Sequence, residues 1–434
     1  MIDALRNAMK LPDLRRRLLY TLWLLVIFRM ASNIPVPGVD RDQLANFLTQ
    51  GGAASQLLGL IDLLSGGAVA NFSVLAAGVY PYVTASIVLQ LLIPIFPKLE
   101  NMLKEEGEEG QRKLNQWTFY LTVPLAALQA FGQIRLVMAS VPGVIAGFGF
   151  GAGQWLSTVT ILVTMTAGTM FAVWLGELIT EQGIGNGLSL IILGGIVARI
   201  PRNVFSIWTS DHVTGLIVFT IITVLTMFVI VYVQEGERRL KVQYGKRVRG
   251  TKIYGGGSTY IPLKVNTAGM IPLIFAQSIL TFPAVVAQFF VNSSNPTVRS
   301  LAQSTIDFFS GSSLGYAPLY FLAVVGFTYF YTDIMVQQQN LAETLQRQGG
   351  FIPGVRPGKR TEAHINNIYR RITLVGALFL GAVAVLPFIV GAFMNTRVML
   401  ITSAGLLIVV GVVVDTMRQL EAQLLMRHYE GFLR

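Results

Sequence analysis

LLGLIDLLSGGAVANFSVLAAGVYPYVTASIVLQLL, which occupies residues 57–92, is the stretch on which the fold of this chain depends. Residues 57–64 follow an apolar helical pattern that is too short to cross a bilayer, since a transmembrane helix takes roughly 20 residues. The Ser-Gly-Gly sequence at 65–67 then interrupts the helix, and a full-length apolar span is predicted over 73–93. Because lipid does not hydrogen-bond to free backbone groups, such a break is expected to be enclosed by protein or to face a water-filled cavity. For this stretch taken alone, an amphipathic loop on the outer surface is the alternative.

Composition places the chain among membrane proteins. Of its 434 residues, 53% are hydrophobic and 13% are charged, and the mean hydropathy is +0.59. Soluble domains carry about a quarter charged residues.

The absence of cysteine excludes disulfides, thiolate catalysis and thiolate metal sites. The first apolar run follows Arg-Arg-Arg (15–17) and ends at Ile-Pro-Val-Pro (34–37), so it is expected to be a retained first span and not a cleaved signal peptide.

The placement of the basic residues, which give the chain a net charge of +11, predicts its topology. Ten apolar segments have the length of a membrane span: 18–36, 73–93, 116–138, 155–177, 183–200, 214–233, 268–290, 317–337, 371–391 and 398–417. Basic residues before the first span place the N-terminus in the cytoplasm, and an even number of spans returns the C-terminus to the same side. This topology puts every lysine on the cytoplasmic side. The basic residues that fall elsewhere are Arg29, Arg41, Arg135, Arg199, Arg202, Arg299 and Arg397.

Two long cytoplasmic loops are expected to form a docking platform. At 235–264, the alternating sequences LKVQY and VRGTKIY on either side of Gly245 predict a β-hairpin that stands off the membrane. At 338–370, the sequence predicts a short helix, a Gly/Pro elbow and a second helix start. Positive-inside charge accounts for the sign of these loops but not for their length, which favours a partner-binding role.

A short motif occurs twice, on spans that are predicted to cross the membrane in opposite directions. GVYPYVTAS (78–86) in the second span parallels GMIPLIFAQ (269–277) in the seventh. Matching motifs on oppositely directed spans predict an inverted repeat of five plus five helices, with the transport pathway at the interface. Chance similarity of apolar sequence is the alternative. The hinge between the two halves is expected at 199–213.

The ionisable residues argue against a pump or an ion-coupled transporter. Such proteins bury titratable groups near mid-membrane, whereas Glu177, Asp333 and Asp415 fall at the cytoplasmic ends of their spans. All three histidines lie in predicted loops or in the tail. No serine has a His or Lys at a matching depth to act as a base, and the glycine run at 255–257 lacks the Lys-Ser/Thr of a phosphate-binding loop. The pattern predicts a pathway without its own energy source, and not an enzyme.

Aliphatic and polar side chains form a stripe on the second span. Val79, Val83, Ser86 and Gln90 follow one another at helical spacing, apolar first and polar toward the cytoplasm. Leu188 and Ile192 repeat this spacing on the fifth span. A ring of branched aliphatic side chains excludes ions by dewetting and yields to a passing polypeptide. Because the same spacing is more often ordinary packing, it does not by itself establish a pore.

Three further motifs give the chain a resemblance to a known family. They are WLGELITEQGIGNGLSLII (174–192), PLKVNTAGMIPLIFAQSI (262–279) and GGFIPGVRPGKRT (349–361), and with the 57–92 stretch they occur in the family's order. The chain resembles the SecY/Sec61-alpha family, whose bacterial members are the central subunit of the Sec protein-conducting channel. The resemblance covers essentially the whole chain, including the ten spans and both long loops.

The resemblance implies an all-α polytopic membrane protein. Its ten transmembrane helices would form two pseudo-symmetric inverted halves of five, at 1–205 and 206–434. A short half-helix at 57–67 would be a plug that closes the external funnel, with the residues Leu57, Leu60, Ile61, Leu64, Gly66 and Gly67. The positions that match the family's pore ring are Val79, Val83, Leu188, Ile192, Ile274 and Ile408. This set departs from the all-isoleucine ring of some relatives, but it keeps apolar bulk.

The second and seventh spans would form a lateral gate through which signal sequences and membrane segments reach lipid. Polar residues in this region are Thr84, Ser86, Gln90, Gln129, Gln277, Ser278 and Thr281. Interhelical hydrogen bonds of this kind contribute only about 0.6–2 kcal/mol each. Such a gate would therefore open when an apolar signal helix binds.

The two loops resemble docking sites for the ribosome and for the SecA motor. Arg356 matches the family's key loop arginine, and the Gly and Pro residues around it would fix the backbone that presents its guanidinium. The other basic residues expected at this platform are Arg238, Arg239, Lys246, Arg247, Arg249 and Lys252. The resemblance also implies small partner subunits, SecE and SecG, and no cofactor or metal.

The resulting hypothesis is a passive, gated channel for unfolded polypeptide in the bacterial inner membrane. A secondary transporter of small solutes is the first alternative, because it also favours inverted repeats and broken helices. The lack of mid-membrane charges weighs against it. A purely structural membrane receptor for ribosomes is the second alternative, but it needs neither a broken helix nor a polar stripe.

Overall fold

A computed structural model of the chain describes residues 6, 9–39, 72–93, 96–140, 144–145, 148–149, 151, 154–198, 200–244, 247–249, 252–254, 257–288, 290–291, 293, 295–309, 313, 315–394 and 402–431. The plug predicted at 57–67 lies outside these residues. The first seven helices are α1 (Pro12–Ala31), α2 (Tyr80–Leu92), α3 (Pro97–Glu105), α4 (Glu108–Ser140), α5 (Trp155–Gln182), α6 (Gly187–Val197) and α7 (Ile200–Glu235). Four strands follow: β1 (Glu237–Tyr244), β2 (Arg247–Arg249), β3 (Lys252–Tyr254) and β4 (Ser258–Lys264). The remaining elements are α8 (Ile271–Gln288), α9 (Pro296–Phe309), α10 (Tyr316–Gln339), α11 (Leu341–Arg347), β5 (Gly350–Phe351), α12 (Lys359–Met394) and α13 (Thr402–Gly431).

Each of the ten predicted spans overlaps one helix, in the order α1, α2, α4, α5, α6, α7, α8, α10, α12 and α13. Within the described residues, three helical stretches are long and apolar enough to cross a membrane: Trp155–Gln182, Tyr316–Arg347 and Lys359–Leu386. The pair α2 and α3 adds a fourth if it is counted as one broken span, since its two parts bend by 101°. Shorter apolar helices lie at Gly187–Val197, Phe219–Glu235 and Ile271–Ala284. The count of ten spans therefore stays a prediction.

The GIGNG sequence makes a tight connection between α5 and α6. The side-chain oxygen of Asn186 caps α6 by accepting a hydrogen bond from the backbone N–H of Ser189 at 3.1 Å. The hydroxyl of Thr180 accepts a bond from the N–H of Gly187 at 2.9 Å. A Cβ at Gly187 would collide with the carbonyl oxygen of Gly176, so only glycine allows the two helices to approach this closely. This part of the motif is therefore explained by packing.

Internal contacts divide the chain into two units. Unit 1 comprises Met1–Leu216, Ser278–Tyr316 and Val412–Arg434, and unit 2 comprises Ile217–Gln277 and Ala317–Gly411. A buried core in unit 1 joins α4, α5, the end of α8 and α9 with the segments around Val36, Phe72 and Ile145. A core in unit 2 joins β1 and β4 with α10, α11 and α12. The division into halves at 205/206 stays a prediction.

The strands between α7 and α8 differ from the predicted hairpin. LKVQY ends β1, but β1 pairs antiparallel with β4, with Leu240 opposite Ile261 and Val242 opposite Thr259. VRGTKIY instead forms a separate two-stranded hairpin of β2 and β3. The eight-residue β1 finds a seven-residue partner in β4, and their apolar side chains share one face on which Val242 and Leu263 are buried. A hairpin with VRGTKIY would have left that face half covered.

Candidate functional site

The two repeated motifs adopt the same local backbone geometry. Gly78 and Gly269 both have left-handed φ values, +54° and +65°. A helix begins two residues after each of them, α2 at Tyr80 and α8 at Ile271. A proline follows at the second helical position. Its lack of an N–H costs no hydrogen bond there, because the N–H groups of the first helical turn have no partner within the helix. The motifs thus match locally, while the inverted repeat of whole halves stays a prediction.

The predicted ring residues occupy four separate parts of the chain. Val79 is the N-cap of α2 and is 1% exposed, and its carbonyl accepts the N–H of Val83, one turn on, at 3.1 Å. Leu188 and Ile192 stand one turn apart on α6, and a side-chain carbon of Leu188 lies close to Gly176 of α5.

The other two ring residues, Ile274 on α8 and Ile408 on α13, are buried at 6% and 1% exposure. They belong to unit 2, whereas Val79, Val83, Leu188 and Ile192 belong to unit 1. The convergence of all six on one ring therefore stays a prediction.

The polar residues of the predicted gate make bonds of two kinds. Within α2, the Thr84 hydroxyl donates to the carbonyl of Tyr80 at 3.0 Å, and the Gln90 amide donates to the Ser86 hydroxyl at 3.2 Å. Between α2 and α8, the hydroxyl of Tyr80 donates to the backbone carbonyl of Ser278 at 3.4 Å. Tyr80 is the functional candidate that sequence reasoning missed, because its partner is a main-chain oxygen.

Two gate side chains keep an unused acceptor. The Oε1 atoms of Gln90 and Gln129 are buried and accept no hydrogen bond from the part of the chain that the structure describes. An acceptor buried in this way carries a free-energy penalty of about 1–3 kcal/mol. On α8, Gln277, Ser278 and Thr281 are buried, each at 4% exposure. The gate residues on α8 are therefore buried polar groups, and the joint role of the gate residues stays a prediction.

The two predicted docking loops are physically one module. Strand β1 lies between β4 and β5, so the loop at 235–264 and the loop at 338–370 share a three-stranded sheet. Gln243 is opposite Phe351 in this sheet, and the Tyr244 hydroxyl donates to Oε1 of Gln348 at 3.5 Å. Below the sheet, Val242 and Leu263 pack with residues of α10, α11 and α12. We call this module the platform.

The elbow at 353–358 presents Arg356 on the platform. As the sequence predicts, it follows the short helix α11 and precedes α12. Gly354 and Gly358 have φ values of +83° and +101°, and the Thr361 hydroxyl donates to the carbonyl of Arg356 at 2.9 Å. The side chain of Arg356 is exposed. The backbone of this arginine is therefore held while its guanidinium faces solvent.

The other basic residues lie on the strands. Arg238 and Arg239 are exposed on β1, and Nε of Arg239 lies 2.8 Å from a carboxylate oxygen of Glu237. Arg247 and Arg249 are on β2, and Lys252 on β3 is paired with Arg249. Lys246 lies outside the described residues. Arg238 and Arg239 therefore lie on the platform sheet, whereas Arg247, Arg249 and Lys252 lie on the separate pair of strands β2 and β3. The use of these residues in docking stays a prediction.

The acidic residues predicted at the cytoplasmic ends of the spans lie on three different helices. Glu177 is half-buried on α5, and Asp333 and Asp415 are exposed on α10 and α13. In the described ranges, no three His, Asp or Glu residues come together in a group that could hold a metal ion.

Comparison with known proteins identifies the family. The sequence model of the SecY family matches residues 73–417. The protein translocase subunit SecY of Thermotoga maritima is 39% identical over 438 residues, which cover 100% of this chain and 98% of that protein. The chain belongs to the SecY family. The family resemblance predicted from its motifs is confirmed.

Solved structures show the SecY-type fold as well. The chain matches one described as "The structure of a protein conducting channel" with a TM-score of 0.61 and 16% identity, over 94% of this chain and 91% of that one. It matches "Sec61 in the Canine ribosome-channel complex from the endoplasmic reticulum" with a TM-score of 0.60 and 15% identity, over the same shares. At these identities the likeness is one of fold alone, and that fold is mostly helical.

Proposed function

We propose that this chain is the central pore-forming subunit of a Sec translocon. It passes unfolded secretory polypeptides across the membrane and releases membrane segments sideways into lipid. The chain itself is a passive channel and not an enzyme. The observation that carries the proposal is its relationship to a SecY protein over the full length of both chains.

The pathway has the form of two inverted halves of five spans that meet at an aliphatic ring. The shared geometry of the motifs at Gly78 and Gly269 supports the repeat. Val79, Val83, Leu188, Ile192, Ile274 and Ile408 form the ring, and their uniformly apolar side chains support a seal that excludes ions by dewetting. The segment at 57–67 is the plug on the external side of this ring.

The gate lies between α2 and α8. Its support is the hydrogen bond that the Tyr80 hydroxyl makes to the Ser278 carbonyl, together with the buried, unused acceptors of Gln90 and Gln129. A hydrogen bond of this kind between helices contributes only about 0.6–2 kcal/mol, so a gate held by such bonds opens at low cost. The unused acceptors offer hydrogen bonds to a polypeptide that moves between the helices.

The partners act from the cytoplasm and from within the membrane. The platform, with Arg356 at its elbow, receives the ribosome or the SecA motor, and SecE and SecG are the small subunits around the channel. One sheet shared by both loops supports a single docking surface. Contacts between its arginines and ribosomal RNA should weaken with salt. The chain lies in the bacterial inner membrane with both termini in the cytoplasm.

Reconstitution tests this function. The full chain is placed in lipid vesicles with SecE and SecG, and SecA, ATP and a secretory precursor are added outside. We expect the precursor to become protected from added protease. Vesicles without the chain, and a precursor held folded by a disulfide, are the controls. A precursor that stays fully digestible with all partners present contradicts the proposal.

A further inference from the structure

A cavity of about 450 Å³ lies between α10 and α12 in unit 2, and the proposed pathway does not use it. From α10 it is lined by Tyr329, Asp333 and Val336, at i, i+4 and i+7. From α12 it is lined by Asn366, Tyr369 and Arg370, at i, i+3 and i+4. Each row is one face of its helix, so the two helices turn these faces toward a common space.

The two ends of the helix pair hold the cavity open. At one end, a Cβ at Gly381 of α12 would lie 2.7 Å from the ring of Phe321 of α10, so the helices are in close contact there. At the other end, Val336 and Tyr369 belong to the apolar core of the platform. Arg370 is about 16 Å along α12 from Gly381, at 1.5 Å per residue. The space between the two contacts is therefore a built feature and not a gap left by fraying.

The polar groups of the cavity carry opposite charges on opposite helices. Asp333 on α10 offers a carboxylate, and Arg370 on α12 offers a guanidinium, the group best shaped to bind phosphate oxygens in pairs. Asn366 adds an amide beside Arg370. Tyr329 and Tyr369 supply aromatic walls, as is typical of membrane–water interfaces. The chemistry matches a small zwitterion with a phosphate and an ammonium group.

The position of the cavity fits the headgroup layer. The spans predicted at 317–337 and 371–391 place Asp333 and Arg370 at their cytoplasmic ends. This step rests on the topology proposed above. A lipid headgroup at this depth would reach both side chains, while its acyl chains followed the exposed apolar surface of α10 and α12, where Leu322 and Val375 are 65% and 58% exposed.

We infer that the cavity binds the headgroup of an amine-bearing phospholipid. Arg370 binds the phosphate and Asp333 binds the primary ammonium. The carboxylate makes the site selective, because it accepts hydrogen bonds from a primary ammonium. Phosphatidylglycerol has no ammonium group, and the ammonium of phosphatidylcholine has no N–H donors. Arg370 supplies the affinity that all phospholipids share.

Native mass spectrometry of the full chain in detergent tests the site. Phosphatidylethanolamine, phosphatidylcholine and phosphatidylglycerol with identical acyl chains are added at equal concentration, and retained lipid is counted. We expect about tenfold more phosphatidylethanolamine than phosphatidylglycerol. Asp333→Asn should abolish this preference, and Arg370→Gln should reduce retention of all three lipids. Arg371→Gln, an exposed neighbour that does not line the cavity, is the matched control.

Three outcomes overturn the inference, and a fourth separates it from the proposed function. Equal retention of the three lipids by the unmodified chain excludes a selective site. Retention that is unchanged in both variants excludes these two side chains. Binding of free phosphoethanolamine as tight as that of the lipid assigns the cavity to a soluble ligand. A chain that fails to translocate but keeps the lipid preference contradicts the proposed function and leaves this site standing.

Discussion

The hydroxyl of Tyr80 donates a hydrogen bond to the backbone carbonyl of Ser278, across 3.4 Å and 198 positions of sequence. It joins the helices that carry the two repeated motifs. The Tyr80 side chain is 8% exposed, and Thr84 on the next turn donates back to the Tyr80 carbonyl. One phenol therefore ties the start of α2 to the middle of α8.

Removing this hydroxyl should make the gate easier to open. An interhelical bond of about 0.6–2 kcal/mol corresponds to a roughly 3- to 30-fold shift in a closed–open equilibrium. We expect Tyr80→Phe to export a reporter with a weakened signal sequence faster than the unmodified chain does. Tyr82→Phe, whose ring packs against Phe119 on α4, is the control. Equal export by both variants would mean that the bond does not hold the gate.

Deleting the plug should open an ion path. Residues 57–67 are predicted to close the funnel, and their loss leaves only the aliphatic ring as a barrier. We expect a severalfold rise in ionic conductance when the deleted chain is inserted in planar bilayers. A conductance equal to that of the full chain would contradict the plug assignment.

A polar residue in the ring should also admit ions. Ile192 is 4% exposed on α6, and Ile192→Ser would let water wet a constriction that depends on dryness. The expected result is increased ion leak with the plug intact, and a larger increase without it. Val197→Ser, on the same helix but 42% exposed, should leave the leak unchanged. If both substitutions leak alike, Ile192 does not face the pathway.

Reversing the charge at the elbow should uncouple the motor. Arg356 is exposed and its backbone is held by Thr361, so Arg356→Glu changes the charge without removing a packed group. We expect secretion and motor-dependent ATP hydrolysis to fall to background while membrane insertion remains normal. Arg347→Gln is the control for the loss of an exposed arginine elsewhere on the module, because Arg347 is exposed on α11 and pairs locally with Glu343, and it should leave secretion unchanged. Normal secretion by Arg356→Glu would remove the docking proposal.

A larger side chain at the contact between β1 and β5 should uncouple the motor as Arg356→Glu does, although it lies outside the elbow. A Cβ at Gly350 would lie 3.1 Å from the Tyr244 ring and 3.3 Å from the Leu345 side chain, so Gly350→Val should force β5 off β1. The elbow then loses its anchor, and we expect ATP hydrolysis to fall as in Arg356→Glu. Gly257→Val, on the same loop pair but with open space around its Cβ position, should be silent. Normal ATP hydrolysis with the Gly350→Val variant would show that the docking role of Arg356 does not depend on the sheet.

Local sequence patterns predict the local structure correctly, whereas contacts between residues that are distant in the sequence are not predicted. The order of α11, elbow and α12 follows from Gly354, Pro357 and Gly358, because these residues restrict their own backbone. The β1–β4 pairing was missed because alternation marks a strand without naming its partner. The contact of β5 with β1 has no signal in either loop alone.

In the candidate site, too, the sequence predicts the local features but not the contacts between distant residues. The sequence shows the glycines at 78 and 269 and the prolines that follow them as a repeated motif, and both copies have the same local geometry. The helices themselves begin at Tyr80 and Ile271, later than the spans predicted from 73 and 268, because the backbone at Gly78 and Gly269 is left-handed. Tyr80 lies inside that motif, but the sequence does not mark it as a gate residue. A phenol buried at a helix start needs a partner, yet nothing in the sequence says that a carbonyl of α8 supplies it.

Strand β1 lies between β4, which belongs to its own loop, and β5, which belongs to the other loop. The loops at 235–264 and 338–370 therefore cannot be exchanged one at a time between relatives. A chimaera that imports only residues 235–264 would set a foreign middle strand against the native β5, and its elbow would be misaligned whatever arginine it carried. Functional transplants should require both extensions from the same donor.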